Sequence, residues 1–396
     1  MSLKTRHAHP QVQRDWHILS ATFQRYRRGN DVSIDARTVG ATFVELQRRL
    51  GDLVPDFELL CKAEIVFQIN QLKKSRNVVI LGHNYMEPTL YHGVADFVGD
   101  SLELSRIAAQ STADIIVFCG VRFMAETAKI LSPTKTVLLP SLEAGCSLAS
   151  SISAEDIREL RRRYPGVPVV TYVNTYAEVK AESDACCTSS NAAAVVESFN
   201  APAVIFLPDE FLAGNVARET GRRILFPVAD ASDISTNDPD LDYTIVGWRG
   251  RCEVHEQFTV DDIRRSRADF PDVAVLAHPE CAPDVVAAAD FSGSTSAMIR
   301  HVRESGAKRF LLLTECSMGD NICAENPGKE MLRLCSVRCP HMKTITLEDT
   351  LASLERGIHE IEVPTEIAAK ARNALDYMLR IGRSSVRSEV TATSAN

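Results

Sequence analysis

The sequence predicts an α/β protein of three pseudo-threefold-related three-layer αβα domains around a central cavity. Three observations carry that expectation. Apolar runs that stop at a polar tip recur as Val78-Val79-Ile80-Leu81-Gly82-His83, Val169-Val170-Thr171-Tyr172-Val173-Asn174 and Val273-Ala274-Val275-Leu276-Ala277-His278. A Ser-rich turn follows each tip: Gly99-Asp100-Ser101, Thr188-Ser189-Ser190 and Ser294-Thr295-Ser296. A cysteine closes each unit, 45 residues from Ser101 to Cys146, 63 from Ser189 to Cys252 and 45 from Ser294 to Cys339.

Residues 1–55 stand outside the repeat. Arg6, Arg14, Arg25, Arg27, Arg28, Arg37, Arg48 and Arg49 stud a stretch without strand signals, expected as an N-terminal extension that is a helical arm or partly disordered. Its basic first 30 residues resemble an organelle transit segment in composition; a cytoplasmic extension is the expectation. The first repeat domain, 56–160, carries strands over 78–82, 115–119 and 137–139 and a helix over 101–110. The second, 161–265, has strands over 169–173, 203–207 and 243–246. The third, 266–385, has strands over 273–277 and 309–313, a third near Ile345, and a C-terminal helix; a disordered tail is expected over 386–396.

Apolar strands alternating with helices indicate a parallel sheet covered on both faces. The turn after the second strand also repeats, as Phe123-Met124-Ala125, Phe211-Leu212-Ala213 and Ser317-Met318-Gly319. Units of about 90–105 residues are too long for a solenoid of short modules, so equivalent loops are expected to meet at one centre.

A net charge of −8 without a large Lys/Arg cluster argues against nucleic acid or a membrane surface as partner. Neither an apolar run of about 18 residues nor an N-terminal apolar segment is present, which leads to the expectation of a soluble, cytoplasmic protein. In a reducing compartment the 11 cysteines are core residues, metal ligands or catalytic groups rather than disulfides.

Ligands in open parallel sheets bind beyond the carboxyl ends of the strands, where His83, Asn174 and His278 fall. Asp100 or Ser101, Ser189, and Ser294 or Thr295 are expected N-caps of the following helices. Free N–H groups at converging helix starts suit carboxylates or phosphate, so an anionic substrate is expected. Pro279 and Glu280 follow His278 directly and place an acid–base group at the same rim.

Cys146, Cys252 and Cys339 lie 106 and 87 residues apart, a spacing that gains meaning only from the repeat. Soft thiolates select iron–sulfur clusters, zinc or copper, and three ligands on a four-iron cluster leave one iron open as a Lewis acid. Cys335 competes with Cys339 for the third place, and the 45-residue interval favours Cys339. Cys119 reads as core packing; the adjacent Cys186 and Cys187 read as buried thiols with redox activity as the alternative.

The sequence resembles the quinolinate synthase family over about residues 60–380. The resemblance rests on His83-Asn84-Tyr85, Ala95-Asp96-Phe97-Val98-Gly99-Asp100-Ser101, Phe123-Met124-Ala125-Glu126-Thr127-Ala128-Lys129, Tyr172-Val173-Asn174, Thr188-Ser189, His278-Pro279-Glu280-Cys281, Gly293-Ser294-Thr295 and Met342-Lys343-Thr344-Ile345-Thr346-Leu347. It implies condensation of iminoaspartate with dihydroxyacetone phosphate to quinolinate, with loss of phosphate and water, on a [4Fe–4S] cluster held by Cys146, Cys252 and Cys339. It further implies L-aspartate oxidase as the supplier of iminoaspartate. By the same resemblance, His83, Ser101, Tyr172, Val173, Asn174, Ser189, His278, Pro279, Glu280 and Thr295 bind substrate, and Tyr85, His278 and Glu280 are catalytic. Met86 stands where many relatives carry Gln, and Cys335-x3-Cys339 differs from the C-x2-C-x2-C run of some relatives. A zinc lyase or hydrolase on the same thiolates, and a dicarboxylate-binding cluster sensor, are the competing readings.

Overall fold

Each continuous apolar run forms a central strand buried on both faces, as parallel sheets flanked by helices require. The computed structural model describes residues 33–227, 241–334 and 337–392. In the first sheet, β1 (Val78–His83), β2 (Phe97–Gly99), β3 (Ile115–Cys119) and β4 (Thr136–Leu138) lie in the order β2-β1-β3-β4. The second holds β5 (Val169–Tyr172), β6 (Ala185–Cys187), β7 (Ala203–Leu207), β8 (Arg223–Leu225) and β9 (Thr244–Gly247) in the order β6-β5-β7-β9-β8. The third holds β10 (Ala274–Ala277), β11 (Phe291–Ser292), β12 (Arg309–Leu313) and β13 (Glu330–Arg333) in the order β11-β10-β12-β13. Every pairing between these strands is parallel. The three sheets share one topology, and the second adds β8 at its edge.

The repeat reaches into the hydrogen bonding. Asp96, Asp184 and Asp290 each accept, through Oδ2, the backbone N–H of Ile80, Val169 and Val275 at 2.7–2.8 Å. Each returns its own N–H to the carbonyl of that same residue at 2.9 Å. The short edge strand after each aspartate is thereby fixed to its central strand, although it is only two or three residues long.

The units interlock in a ring. Asn321 of the third donates to the carbonyls of Asn84 and Met86, in the loop beyond β1, at 3.2 and 2.9 Å. Asn215 of the second does the same to Pro279 and Cys281, beyond β10, at 2.8 and 3.0 Å. Glu126 of the first accepts the N–H of Ala177, beyond β5, at 2.9 Å. Each loop carrying a polar tip is thus held from behind by a helix of a neighbouring unit.

Several expectations change. The third strand of the last unit is β13, not a segment near Ile345; Met342–Thr344 is a single 3-10 turn. Part of the N-terminal extension is structured: helix Val39–Leu50 buries Leu46 and Leu50 in the core that also contains Ile80 and Leu81 of β1, while residues 1–32 lie outside the described residues. Helix Leu347–Arg356 and the long helix Thr365–Ala392 send Leu347, Leu354, Ala371, Leu375 and Met378 into that same core. Between them, Ile361 donates its N–H to Val137 O at 2.8 Å and Leu139 donates to His359 O at 3.1 Å, beside β4. The tail expected from 386 spans the end of the long helix and residues 393–396, which lie outside the described residues. Among the described residues, no helix is long and apolar enough to cross a membrane.

Replacing Asn321 with Ala leaves two buried carbonyls without their donor, and replacing Asn215 leaves one buried and one part-buried; each change is expected to lower stability by about 1–3 kcal/mol. Urea unfolding of the two variants against the parent checks this, and a loss near zero would remove the ring of clamps as a stabilising element.

Candidate active site

The three tips open onto one cavity of about 80 Å³, whose wall includes His83, Tyr85, Ser101, Cys146, Tyr172, Asn174, Ser189, Cys252, His278, Glu280, Thr295 and Cys339. The thiols of all three units therefore reach one place. Val173 and Pro279 are not on this wall: Val173 is buried in the core, and Pro279 lines an adjoining outer chamber of about 720 Å³. The outer chamber shares Asp100 and Ser189 with the inner cavity.

The cysteines sit in equivalent turns. Cys146, Cys252 and Cys339 each precede by three residues a 3-10 turn, at Ala149–Ser151, His255–Gln257 and Met342–Thr344. Seven residues after each cysteine, Ser153, Thr259 and Thr346 cap the helices Ala154–Arg163, Val260–Asp269 and Leu347–Arg356. The caps bond Asp156, Asp262 and Asp349, in two cases as a full capping box. This locks the turn so that two backbone N–H groups face each sulfur: Leu148 and Ala149 at Cys146, Val254 and His255 at Cys252, His341 and Met342 at Cys339.

Burial pushes the Cys146 thiol up to about 12 and Cys339 up to about 11, with the N–H pairs pulling the other way. Cys252 is driven well up by burial and then by the Glu280 charge. Thiols held this way stay protonated unless a cation replaces the proton. The N–H pairs are the part of this environment that stabilises a thiolate.

The two tip histidines share one geometry. The N–H of Tyr85 donates to His83 Nδ1 at 3.2 Å, and that of Glu280 to His278 Nδ1 at 3.3 Å. Burial lowers His83 to about 4 and His278 to about 3, so both rings are neutral near pH 7. With Nδ1 accepting, the proton resides on Nε2, which leaves each ring a single donor for an oxygen in the cavity.

Glu280 is the hub. Its Oε1 accepts from Tyr172 Oη at 2.5 Å and Asn174 Nδ2 at 3.3 Å, while Oε2 lies 3.0 Å from His255 Nδ1. Burial opposes ionisation, but the His255 charge and hydrogen bond, together with His278, outweigh it and hold the carboxyl below its ordinary range. His255 continues the chain through Nε2 to Thr314 Oγ1 at 3.0 Å and Tyr85 Oη at 3.4 Å, and Tyr85 Oη meets Thr314 Oγ1 at 2.6 Å. Asn174 Oδ1 is buried without a hydrogen-bond partner, an acceptor left for a bound molecule.

Sequence reasoning missed His255 and Thr314. His255 follows Cys252 by three residues, and the repeated Cys-x6-Ser/Thr-x2-Asp spacing marks its turn. Thr314 directly follows β12, the kind of position from which the tips themselves were read. Asp100 and Ser294 cap their helices as expected, but the cap position of Ala192–Ser198 is Asn191 rather than Ser189. That helix has seven residues, against ten for Ser101–Gln110 and Thr295–Glu304. Cys119, Cys186 and Cys187 are buried, and Cys335 lies outside the described residues.

A profile of the quinolinate synthetase A protein family, NadA, matches residues 67–380. The chain belongs to that family. It is 53% identical to quinolinate synthase 2 of Mesorhizobium japonicum over 344 residues, covering 87% of this chain and 99% of that protein. It is 52% identical to a quinolinate synthase of Agrobacterium fabrum over 336 residues, covering 85% of this chain and 91% of that one. A quinolinate synthase of Xylella fastidiosa is 54% identical over 313 residues, 79% of this chain and 86% of its own. As a member of the quinolinate synthase family, the chain is an enzyme.

At the rim, Glu103 joins the first and third units: its Oε2 accepts from Ser296 Oγ at 2.5 Å. Burial, then the Asp100 charge, raise its carboxyl from 4.5 to about 7, against the Ser296 bond and the Arg106 charge. The native state therefore binds this proton more tightly than the unfolded chain does. The associated stability is complete below about pH 4.5 and is lost as pH rises through about 7, at most about 3 kcal/mol. Glu103→Gln is expected to flatten the fall in urea midpoint between pH 5 and 8; an unchanged slope would assign that fall to other groups.

Proposed function

We propose that this family member makes quinolinate from iminoaspartate and dihydroxyacetone phosphate, releasing phosphate and water, with a [4Fe–4S] cluster held by Cys146, Cys252 and Cys339. The observation that carries this reading is the convergence of one thiol from each unit, each facing a pair of backbone N–H groups, on the cavity that also holds His83, Asn174 and His278. The donor set fits the group: three soft sulfurs, with no fourth cysteine on the wall among the described residues, suit a cluster with one open iron. When bound, the cluster supplies Lewis acidity at that iron.

The protein's own groups do the rest. Both substrates are polyanions, and the Nε2–H groups of His83 and His278, the amide of Asn174 and the hydroxyls of Ser101, Ser189 and Thr295 bind their oxygens. The Leu102 and Glu103 N–H groups of Ser101–Gln110 are taken by Asp100 Oδ1, so it is the start of Thr295–Glu304, capped by the neutral Ser294, that adds positive polarity. Glu280, ionised and oriented by Tyr172 and Asn174, takes the proton that each tautomerisation and dehydration releases. From Glu280 Oε2 the line of hydrogen bonds runs through His255 Nδ1 and Nε2 to Thr314 and Tyr85 Oη. Tyr85, at the far end, returns a proton to a departing oxygen. Burial, followed by the Glu280 charge, raises Tyr85 well above its ordinary value, which keeps its hydroxyl a donor. A cytoplasmic setting and an aspartate oxidase as the source of the imine complete the reading.

The decisive assay combines iron, sulfide and product on anaerobically purified protein. About four irons with matching sulfide and formation of a pyridine dicarboxylate are expected; one zinc without sulfide, or a cluster without product, rejects the reading. Cys146→Ser, Cys252→Ser and Cys339→Ser are each expected to abolish stable cluster assembly, read by iron content. Glu280→Gln is expected to keep the cluster and lose at least about 100-fold in turnover, and unchanged turnover would remove Glu280 from the reaction.

A further inference from the structure

The cavity wall contains a second, smaller set of metal-binding atoms. Cys252 Sγ, His255 Nδ1 and a carboxylate oxygen of Glu280 all lie within 4.8 Å of one another. His255 Nδ1 is 3.2 Å from Cys252 Sγ and 3.0 Å from Glu280 Oε2. Ligands about 2.0–2.3 Å from a tetrahedral metal stand roughly 3.3–3.8 Å apart, so the separations from Nδ1 need only tenths of an ångström of expansion.

The surroundings prepare these atoms. Thr314 Oγ1, 3.0 Å from His255 Nε2, is placed to take that ring proton, so a metal that displaces the proton from Nδ1 finds a lone pair between a sulfur and a carboxylate. Tyr172 and Asn174 occupy the other oxygen of Glu280, which fixes the carboxylate with Oε2 toward the ring. Three electron-pair donors converge, and a cation must sit among them: a proton in the metal-free protein, a metal ion when one is available. Thiolate and imidazole select a borderline-soft ion of the zinc and ferrous class over magnesium or calcium.

We infer that the cluster-free protein binds one such divalent ion through Cys252, His255 and Glu280. Binding replaces two protons: Cys252–SH, the Nδ1–H of cationic His255 and M²⁺ give Cys252–S–M⁺ with neutral His255 on the metal and two H⁺, with no change of oxidation state. The fourth position of the ion faces the cavity. The inference rests on the proposed function in one respect, since Cys252 is also assigned to the cluster. The single ion and the complete cluster therefore exclude one another, and a bound zinc ion holds the protein in its cluster-free form.

The test uses full-length protein freed of cluster by chelation under anaerobic conditions and titrated with Co²⁺. One equivalent is expected, with a thiolate-to-cobalt charge-transfer band and the d–d intensity of a four-coordinate ion. Cys252→Ser is expected to lose the charge-transfer band. His255→Gln and Glu280→Gln are expected to weaken binding at least about 10-fold. Cys146→Ser and Cys339→Ser are expected to keep stoichiometry, band and affinity. Because a buried substitution can prevent folding, the parent and Cys146→Ser titrations decide: no band in the parent overturns the site, and so does loss of the band in folded Cys146→Ser, since the ion would then sit among the three cysteines. Zinc-loaded protein is also expected to take up iron and sulfide more slowly than metal-free protein; equal uptake with zinc still bound overturns the shared ligand. None of these readings requires turnover, so absence of pyridine dicarboxylate would count against the proposed function alone.

Discussion

The reaction cavity exists because each unit gives the loop beyond its first strand into the keeping of a neighbour. Asn321 holds the loop behind His83, Asn215 the loop behind His278, and Glu126 the loop behind Asn174. Two of these clamps are a single amide serving two backbone carbonyls, so neither loop can move away without stranding backbone acceptors in the interior. The arrangement is cyclic, and a shift of any one sheet is felt at all three tips. Precise placement of side chains from distant parts of the chain follows from this mutual holding rather than from the stiffness of any one loop.

Within that frame the site is electrostatically costly. Three half-buried cysteines, Glu280 and the nearby Asp209 all resist sharing negative charge in one enclosed space, and burial followed by the Glu280 charge drives Asp209 well above the usual carboxylate range. What tolerates the accumulation is a set of fixed dipoles, namely the N–H pairs facing each sulfur and the two neutral histidines. Dipoles of this kind need no reorganisation when an anion arrives. The stacking of His255 on His278, with centroids 4.6 Å apart, keeps the ring that bridges Cys252 and Glu280 from turning away.

Much of this could be read from the residues, and the reasons for the remainder are physical. The tips and the three cysteines were visible because they repeat in long apolar runs and matched intervals. The edge strands β2, β6 and β11 were not, because two or three residues carry no periodicity; only the aspartate before each one marks it. β13 was misplaced because it is a sheet edge with Glu330 and Arg333 at its ends, and Glu330 is satisfied by Arg309 at 2.7 Å rather than by apolar burial. The segment chosen instead, near Ile345, is the third copy of the turn that follows each cysteine. His255 escaped because its meaning lies in neighbours from other stretches of chain, Glu280, Thr314 and Tyr85, which no local spacing reveals.

The route of the C-terminal chain bears on how such a protein is made. Leu347, Leu354, Leu375 and Met378 fill a core otherwise built around β1 and β3, Arg76 holds Leu354 O, and Asn191 holds Met378 O at 3.2 Å. The interior of the first sheet is thus sealed by helices that follow the third sheet in the chain. Folding of the first unit by itself therefore leaves apolar surface of that core uncovered, and the unit is not a module that can be sealed in isolation.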